Sequence, residues 1–375
     1  MKRLFQALLI TAVLIGTNLL AKDDRILIEA EEAVKLIGKP GVMFVSGDDD
    51  TAFENGHIKG SVSMYAHHLH HADIMGNMHC APLFMCPEDA QKYIGAHGID
   101  NDTIVIAYDN FRGPNATGVY TYFKSFGHEK VYILNGGMEA IKKVDPNQQK
   151  YNALKKKYKK AKKAARKAKK AGNKDEYKKL KAEANRYKKE LKKLEKKLLI
   201  VKGAKKVDLG HHLHAVLAPE ADIKPKKYHI DMKKIRYDII AGKDEVYKAM
   251  KDILEKGEKS KYVIIDTRGM IEIIGERKLD NVARGGHIPG AKFIEWKNIT
   301  DFKNKKSFKP LEELQKVFDK YGVKKDQTIY AYCHVGAGRS TEIITALELL
   351  GYKNIKVYTG SWDEWGNDMN LPIRR

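Results

Sequence analysis

Two stretches of this 375-residue chain repeat one another, and that repetition limits the folds open to it more than any other feature. "GHIKGS" at 56–61 returns as "GHIPGA" at 286–291, and "DNDTIVIAYD", ending at Asp109, returns as "KKDQTIYAYC", ending at Cys333. The step that carries Asp109 onto Cys333 also carries Gly136 onto Gly360, with no gap between. A chain duplicated in this way must build one supersecondary plan twice. Each copy alternates short apolar runs with helical patterns; in the second they are "YVIID", a helix over 311–321, "TIYAY", a helix over 340–350 and "IKVY". Strands separated by helices predict an α/β fold, a parallel sheet flanked by helices in each copy.

What separates the copies is of another kind. Residues 151–200 hold 22 Lys and Arg against five Asp and Glu. That segment accounts for most of the chain's net charge of +22 and leaves the rest nearly balanced. Tyr151, Leu154, Tyr158, Ala161, Ala165 and Ala168 recur at three- and four-residue steps, and so do Tyr177, Leu180, Ala184, Tyr187, Leu191, Leu194 and Leu198. These are the apolar seams of two helices joined at Gly172, so the spacing predicts an antiparallel helical hairpin with lysine on its outer faces. Such faces are commonly just solvated, and they also suit an acidic partner or anionic lipid heads. No aromatic residue is interleaved for base stacking, and nucleic acid is not expected as a partner.

The chain opens with Met1-Lys2-Arg3, an uncharged run from Leu4 to Ala21, and then "KDD". This reads as an export signal over 1–21, hence a periplasmic protein, or a membrane-anchored one if the signal is retained. The expected organisation is a first unit over 24–145, the hairpin over 147–203, a linker over 204–228 that includes "GHHLH", and a second unit over 229–375.

Cys80, Cys86 and Cys333 are the only cysteines. In an oxidising compartment Cys80 and Cys86 can pair, leaving Cys333 odd and in need of a role. It closes "TIYAY" and opens the loop "CHVGAGRS", so it stands at the carboxyl end of a strand, where parallel sheets bind ligands. Gly336 and Gly338 permit a tight loop with inward N–H groups. The helix that follows adds its positive end, and Arg339 and His334 add to the field. A cysteine at the mouth of an anion cradle is favoured as thiolate, and a thiolate there points to covalent catalysis. In the first copy Asp109 stands in the cysteine's place and Pro114 in that of Gly338, which predicts a silent unit that covers and shapes the active one.

With these residues in view, the sequence resembles the tandem-domain rhodanese family of thiosulfate and 3-mercaptopyruvate sulfurtransferases. "DTR" at 266–268 followed by "GHIPGA", the loop opening at Cys333, and "GSWDEWG" at 360–366 carry the resemblance over roughly 25–145 and 225–375. It implies two rhodanese-like domains and a double displacement without cofactor. Cys333 would take a sulfane sulfur from thiosulfate, 3-mercaptopyruvate or polysulfide as a persulfide and pass it to cyanide or a thiol. His334, Val335, Gly336, Ala337, Gly338 and Arg339 would cradle the donor, with Arg284 at its anionic end. Asp266 and Arg268 fall at a position that is mostly structural in the family, and Trp362 either walls the pocket or belongs to the core. The loop has neither the basic residues usual for thiosulfate nor the uniformly small ones usual for mercaptopyruvate, and the lysine-rich hairpin is not part of the usual plan.

Cys333, five residues, Arg339 and Ser340 also fit the Cys-x5-Arg-Ser/Thr signature of cysteine-dependent phosphatases, one family of which shares this fold. There the arginine would clamp phosphoryl oxygens. The duplication, the "GSWDEWG" ending and Tyr332 in place of histidine weigh against that reading. A non-enzymatic sulfur carrier using the same persulfide is the third class. One more stretch, "MYAHHLHHADIMGNMHCAPLFMC" at 64–86, is dense in soft ligands. No spacing in it matches a closed metal site, and no metal is assigned.

Overall fold

A computed structural model describes residues 25–207, 216–218 and 223–375. The expected leader over 1–21 and "GHHLH" lie outside the described residues. The first domain is built on β1 (Leu27–Ile28), β2 (Val42–Ser46), β3 (His57–Ile58), β4 (Val62–Ser63), β5 (Ile104–Tyr108) and β6 (Val131–Leu134). Its helices include α1 (Pro87–Ala96), α2 (Pro114–Ser125) and α3 (Gly137–Val144). Strands β1, β6, β5, β2 and β4 lie side by side in that order, all parallel. β5, "IVIAY", is buried at every position, as a central parallel strand covered on both faces requires.

The lysine-rich segment then leaves the domain as α4 (Pro146–Lys170) and α5 (Lys174–Glu195). Asp145 holds both ends of this excursion. Its Oδ1 caps α4 at the amide of Asn147 (2.8 Å), and its Oδ2 accepts from the amide of Leu199 (3.1 Å) where the chain returns. At the tip, Gly172 takes φ +75°, and Asn173 caps α5 through the amide of Glu176. Ala161, Ala165, Ala168, Ala184 and Leu191 are buried in the seam, while every Lys and Arg of the two helices is exposed. The apolar face is thus consumed within the hairpin. Among the described residues no helix is long and apolar enough to cross a membrane.

On return, β7 (Ile200–Val201) pairs antiparallel with β3, and β8 (Lys205–Val207) and β9 (Val216–Ala218) extend the first sheet beyond β4. The second domain follows with β10 (Ile240–Ala241), β11 (Tyr262–Asp266), β12 (Lys292–Phe293), β13 (Thr328–Tyr332) and β14 (Ile355–Tyr358). Its helices include α6 (Lys243–Lys256), α7 (Leu311–Lys320), α8 (Arg339–Leu349) and α9 (Ser361–Trp365). Its sheet order, β10-β14-β13-β11-β12, all parallel, is the order of the first sheet's parallel part, so the sequence duplication is a duplication of topology.

The domains meet along α2 and α8, the helices that follow Asp109 and Cys333. Thr117 Oγ1 and Thr341 Oγ1, at equivalent positions of the two copies, are 3.0 Å apart. Lys124 and Glu348, also equivalent, form an ion pair at 2.5 Å. Two equivalent pairs in contact mean that the helices run side by side in the same direction about a pseudo-twofold axis. Gly118 is at this contact: an added Cβ would stand 2.8 Å from the Ala66 side chain within its own domain and 3.2 Å from the amide of Gly338 across the interface. The interface therefore reaches the Cys333 loop itself.

Candidate active site

Cys333 directly follows β13 and is 1% exposed. Its amide donates to Ser361 Oγ (3.1 Å), and its carbonyl accepts from the amide of Trp362 (3.1 Å). The carbonyl of His334 accepts from the amide of Asp363 (2.8 Å), so the start of α9 holds the start of the loop. Ser361 does this from the left-handed region, at φ +50°, while its own hydroxyl donates to the Tyr358 carbonyl (2.8 Å). A non-glycine residue in that region signals a backbone held by its surroundings.

The loop turns through Gly336 (φ +79°) and Gly338 (φ +118°). At Gly336 space agrees with conformation, since a Cβ would lie 2.2 Å from the Thr359 carbonyl oxygen. The amide of Gly338 donates to Thr341 Oγ1 (3.0 Å). Among the described residues no acceptor engages the amides of Val335, Gly336 or Ala337. Those donors, with the start of α8, leave hydrogen-bonding capacity for an anion bound at Cys333. Ser340 Oγ is 3.5 Å from Cys333 Sγ and 3.0 Å from the Gly336 carbonyl, so one hydroxyl serves both sulfur and loop.

Arg339 is beside the loop and is turned to Glu272. Its guanidinium donates to both carboxylate oxygens, at 2.6 and 3.2 Å. Burial alone would raise the Glu272 pKa, but the hydrogen bond and charge of Arg339 overcome it and hold the carboxyl below its usual range. Arg268 is buried and held by an ion pair. It donates to both oxygens of Asp266 and to the Gly286 carbonyl, buried with its guanidinium 4.5 Å from the Trp362 ring and 5.4 Å from that of Tyr332. Trp362 accordingly belongs to the core.

Arg284 departs from expectation. All three of its guanidinium nitrogens donate to carbonyls of the C-terminal segment, those of Gly366, Leu371, Trp365 and Asp368. The chain after α9 presents carbonyls without helical partners, and Arg284 satisfies them, so it fastens that segment and is not turned to the Cys333 loop. The contiguous residues His334, Val335, Gly336, Ala337, Gly338 and Arg339 form the loop that leads from Cys333 into α8.

The first domain supplies groups that the second cannot. His67 Nε2 is 3.6 Å from where a Gly338 Cβ would stand. His70 Nε2 is 3.3 Å from Asp363 Oδ2, whose other oxygen accepts from Asn281 (2.7 Å). Burial, reinforced by the charge of Arg339, lowers His67 to about 4. Burial also lowers His334 to about 4, against the opposing pull of Asp363. Both imidazoles are neutral at pH 7. His67, His70, Glu272, Ser361 and Asp363 were not singled out from the sequence. A signal existed for Asp363, within "GSWDEWG", and for the histidines, in a crowded stretch; Glu272 had none.

The equivalent turn of the first domain holds Asp109, whose Oδ2 accepts from the amide of Gly113 (2.8 Å). Burial and the charge of Asp48 raise its pKa to about 7, and burial raises Glu342, facing it from α8, well above the usual range. The second domain closes this turn. Thr300 Oγ1 is 2.7 Å from the Arg112 carbonyl and 2.9 Å from Glu342 Oε1, and Ser307 Oγ accepts from the amide of Gly136 (3.0 Å).

The family model for the rhodanese-like domain matches twice, over residues 29–144 and 247–368. The chain belongs to the rhodanese-like family, in a tandem arrangement, and is of sulfurtransferase type. A relative from Saccharopolyspora erythraea named "Putative thiosulfate sulfurtransferase" is 26% identical, with 93% of this chain and 96% of that one covered. A sulfur carrier protein of Thermus thermophilus is 33% identical over 37% of this chain and 52% of its own length. In fold the chain is similar to the 3-mercaptopyruvate sulfotransferase of Escherichia coli (TM-score 0.58, 19% identity, covering 90% of this chain and 99% of that one). It is similar also to the anaerobic ergothioneine biosynthesis enzyme of Chlorobium limicola (TM-score 0.58, 20% identity, covering 93% and 70%).

Proposed function

We propose that this chain moves a sulfane sulfur from an anionic donor (thiosulfate, 3-mercaptopyruvate or polysulfide) to a thiophilic acceptor through a persulfide on Cys333. The observation that carries the reading is a single free thiol among the described residues, at the carboxyl end of a central parallel strand, opening a loop whose amides at 335–337 meet no acceptor there. In the first half-reaction the Cys333 thiolate attacks the donor's outer sulfur. The new S–S bond forms as the donor's bond to that sulfur breaks, and the bonding pair leaves with sulfite, pyruvate enolate or a shortened polysulfide. The loop amides and Ser340 Oγ stabilise the sulfur charge. In the second, the acceptor thiolate or cyanide attacks the outer sulfur and Cys333 departs as thiolate.

The phosphatase reading asks Arg339 to clamp phosphoryl oxygens, whereas Arg339 spends its paired donors on Glu272. Intact mass after incubation with each donor, beside a Cys333→Ser control, tests the proposal. The expected result is a gain of one sulfur atom, removed by cyanide and absent in the control. No gain with any donor, together with Cys333-dependent release of phosphate from an aryl phosphate, would overturn it. We propose further that the protein is exported by its leader, and that the cations of α4 and α5 meet an acidic partner or membrane surface. Vesicle binding unchanged by deletion of 150–203 would remove the membrane part.

A further inference from the structure

The loop over 64–86 is only partly used by the site: His67 packs against Gly338 and His70 bonds Asp363, and the remainder is stapled by the Cys80–Cys86 disulfide. Beneath that disulfide is a second cluster. One donor atom each from His71, Cys86 and Asp89 lie within 4.8 Å of one another, with His71 Nδ1 3.6 Å from Asp89 Oδ2. Backbone bonds hold the parts in place: the amide of His71 donates to the Phe84 carbonyl (2.7 Å), and that of His79 to the His71 carbonyl (3.1 Å). Cys86 is the N-cap of α1 and Asp89 is in its first turn, so one helix end fixes two of the three donors.

We propose that Cys80, Cys86, His71 and Asp89 form a redox-gated zinc site. In the disulfide form the sulfurs are bound to each other, and His71 with Asp89 offers too few donors to retain the ion. Two equivalents of an external thiol reduce the pair: the S–S bond breaks, both cysteines gain a proton, and the external thiol is oxidised to its own disulfide. Zn2+ then displaces the two thiol protons to solvent and takes two thiolates, one imidazole and one carboxylate. That set suits tetrahedral Zn2+ and disfavours Mg2+ and Ca2+, which prefer oxygen. Separation in sequence hid the site, because Cys-x5-Cys-x2-Asp is an unremarkable spacing until His71 is folded against it.

The placement gives the switch a consequence. The same loop grips the catalytic domain through His70 on Asp363 and through the Pro82 carbonyl, which accepts from Thr359 Oγ1 (2.5 Å) beside Gly336. A zinc ion would keep this staple closed under reducing conditions, in which the disulfide is lost.

The test is anaerobic titration of Zn2+ or Co2+ into full-length protein carrying Cys333→Ser, which removes the other thiol. Protein reduced with a phosphine and desalted is compared with its oxidised form. The reduced form should bind one ion with release of protons and, for Co2+, develop the near-ultraviolet thiolate-to-metal band; the oxidised form should do neither. His71→Ala and Asp89→Asn, each checked for native circular dichroism, should weaken binding by at least roughly the 10- to 100-fold that loss of even an outer partner costs. Equal binding by reduced and oxidised protein, or full affinity in both variants, would overturn the site. If only Asp89→Asn binds normally, the carboxylate is not a ligand and the four-donor assignment falls.

Discussion

The two strand-to-helix turns after β5 and β13 share a topology and differ in chemistry. After β13 the chain has Cys333, loop amides without acceptors among the described residues, and two glycines at positive φ. After β5 it has Asp109, which takes up the amide of Gly113, and Pro114 at the first position of α2. Each turn is also covered by the other domain, but unlike in kind. His67 packs against Gly338 of the Cys333 loop and His70 bonds Asp363, whereas Thr300 bonds the Asp109 turn at the Arg112 carbonyl and Ser307 takes the amide of neighbouring Gly136. The turn of the first copy is thus filled from within and sealed from outside, and its domain forms a wall against the loop of the second.

The largest effect should come from exchanging the two key residues. Cys333→Ser is expected to lower sulfur transfer by at least about a thousandfold, as removal of a covalent nucleophile does. Adding Asp109→Cys to that variant should restore nothing, because Pro114 supplies no amide to the first turn and Thr300 and Ser307 of the second domain seal it. Persulfide found by peptide mass on the thiol introduced at position 109 would break the comparison. Gly336→Ala comes next. Both its φ and the Thr359 carbonyl oppose a Cβ, so the loop must shift, with activity expected to fall by about ten- to a hundredfold and stability by about 1–3 kcal/mol. Unchanged turnover and unchanged urea midpoint would show that the loop does not need this conformation.

The buried carboxyls at the first domain's turn make a pH prediction. Asp109 and Glu342 are raised in the folded state, so the native form prefers their protons. Their contribution to stability is complete below the unfolded carboxyl range near pH 4 and is lost as pH rises through about 7. Asp109→Asn should therefore be more stable than the parent at pH 8, by on the order of 1–3 kcal/mol, and the two should converge near pH 4. Urea unfolding at both pH values decides it, and a gap that widens on acidification would reverse the assignment. The smallest effect is expected at the half-buried Lys124–Glu348 pair across the axis. A double-mutant cycle to alanine should give a coupling of about 0.2–1 kcal/mol, diminished by salt. A coupling several times larger would mean that the domains are held by this pair and not by the apposed faces of α2 and α8.

Much of the architecture was legible because its signals are local or periodic. The repeated motifs announced a repeated fold, the three- and four-residue spacing announced the hairpin, and a strand followed by cysteine and two glycines announced the tight loop at Cys333. Arg284 was misread for the opposite reason. A cation next to a motif seems available, and only the folded chain brings the carbonyls of residues 365–371 to it. Arg339 carries the same lesson in milder form: it is beside the cysteine as expected, yet its partner Glu272 is remote in sequence. The Cys80–Cys86 bond, left open by the spacing, is settled by the loop that brings the two together.

The sequence by itself determined the duplication, the α/β class, the place of Cys333 and the concentration of charge between the copies. Each of these depends on neighbours along the chain or on the period of side chains about a strand or helix. Only the tertiary structure decided which charges are already paired, that the first domain lends His67 and His70 to the second, and that His71, Cys86 and Asp89 converge. Those are contacts between segments tens to hundreds of residues apart, specified by packing of whole elements, and no local pattern records them.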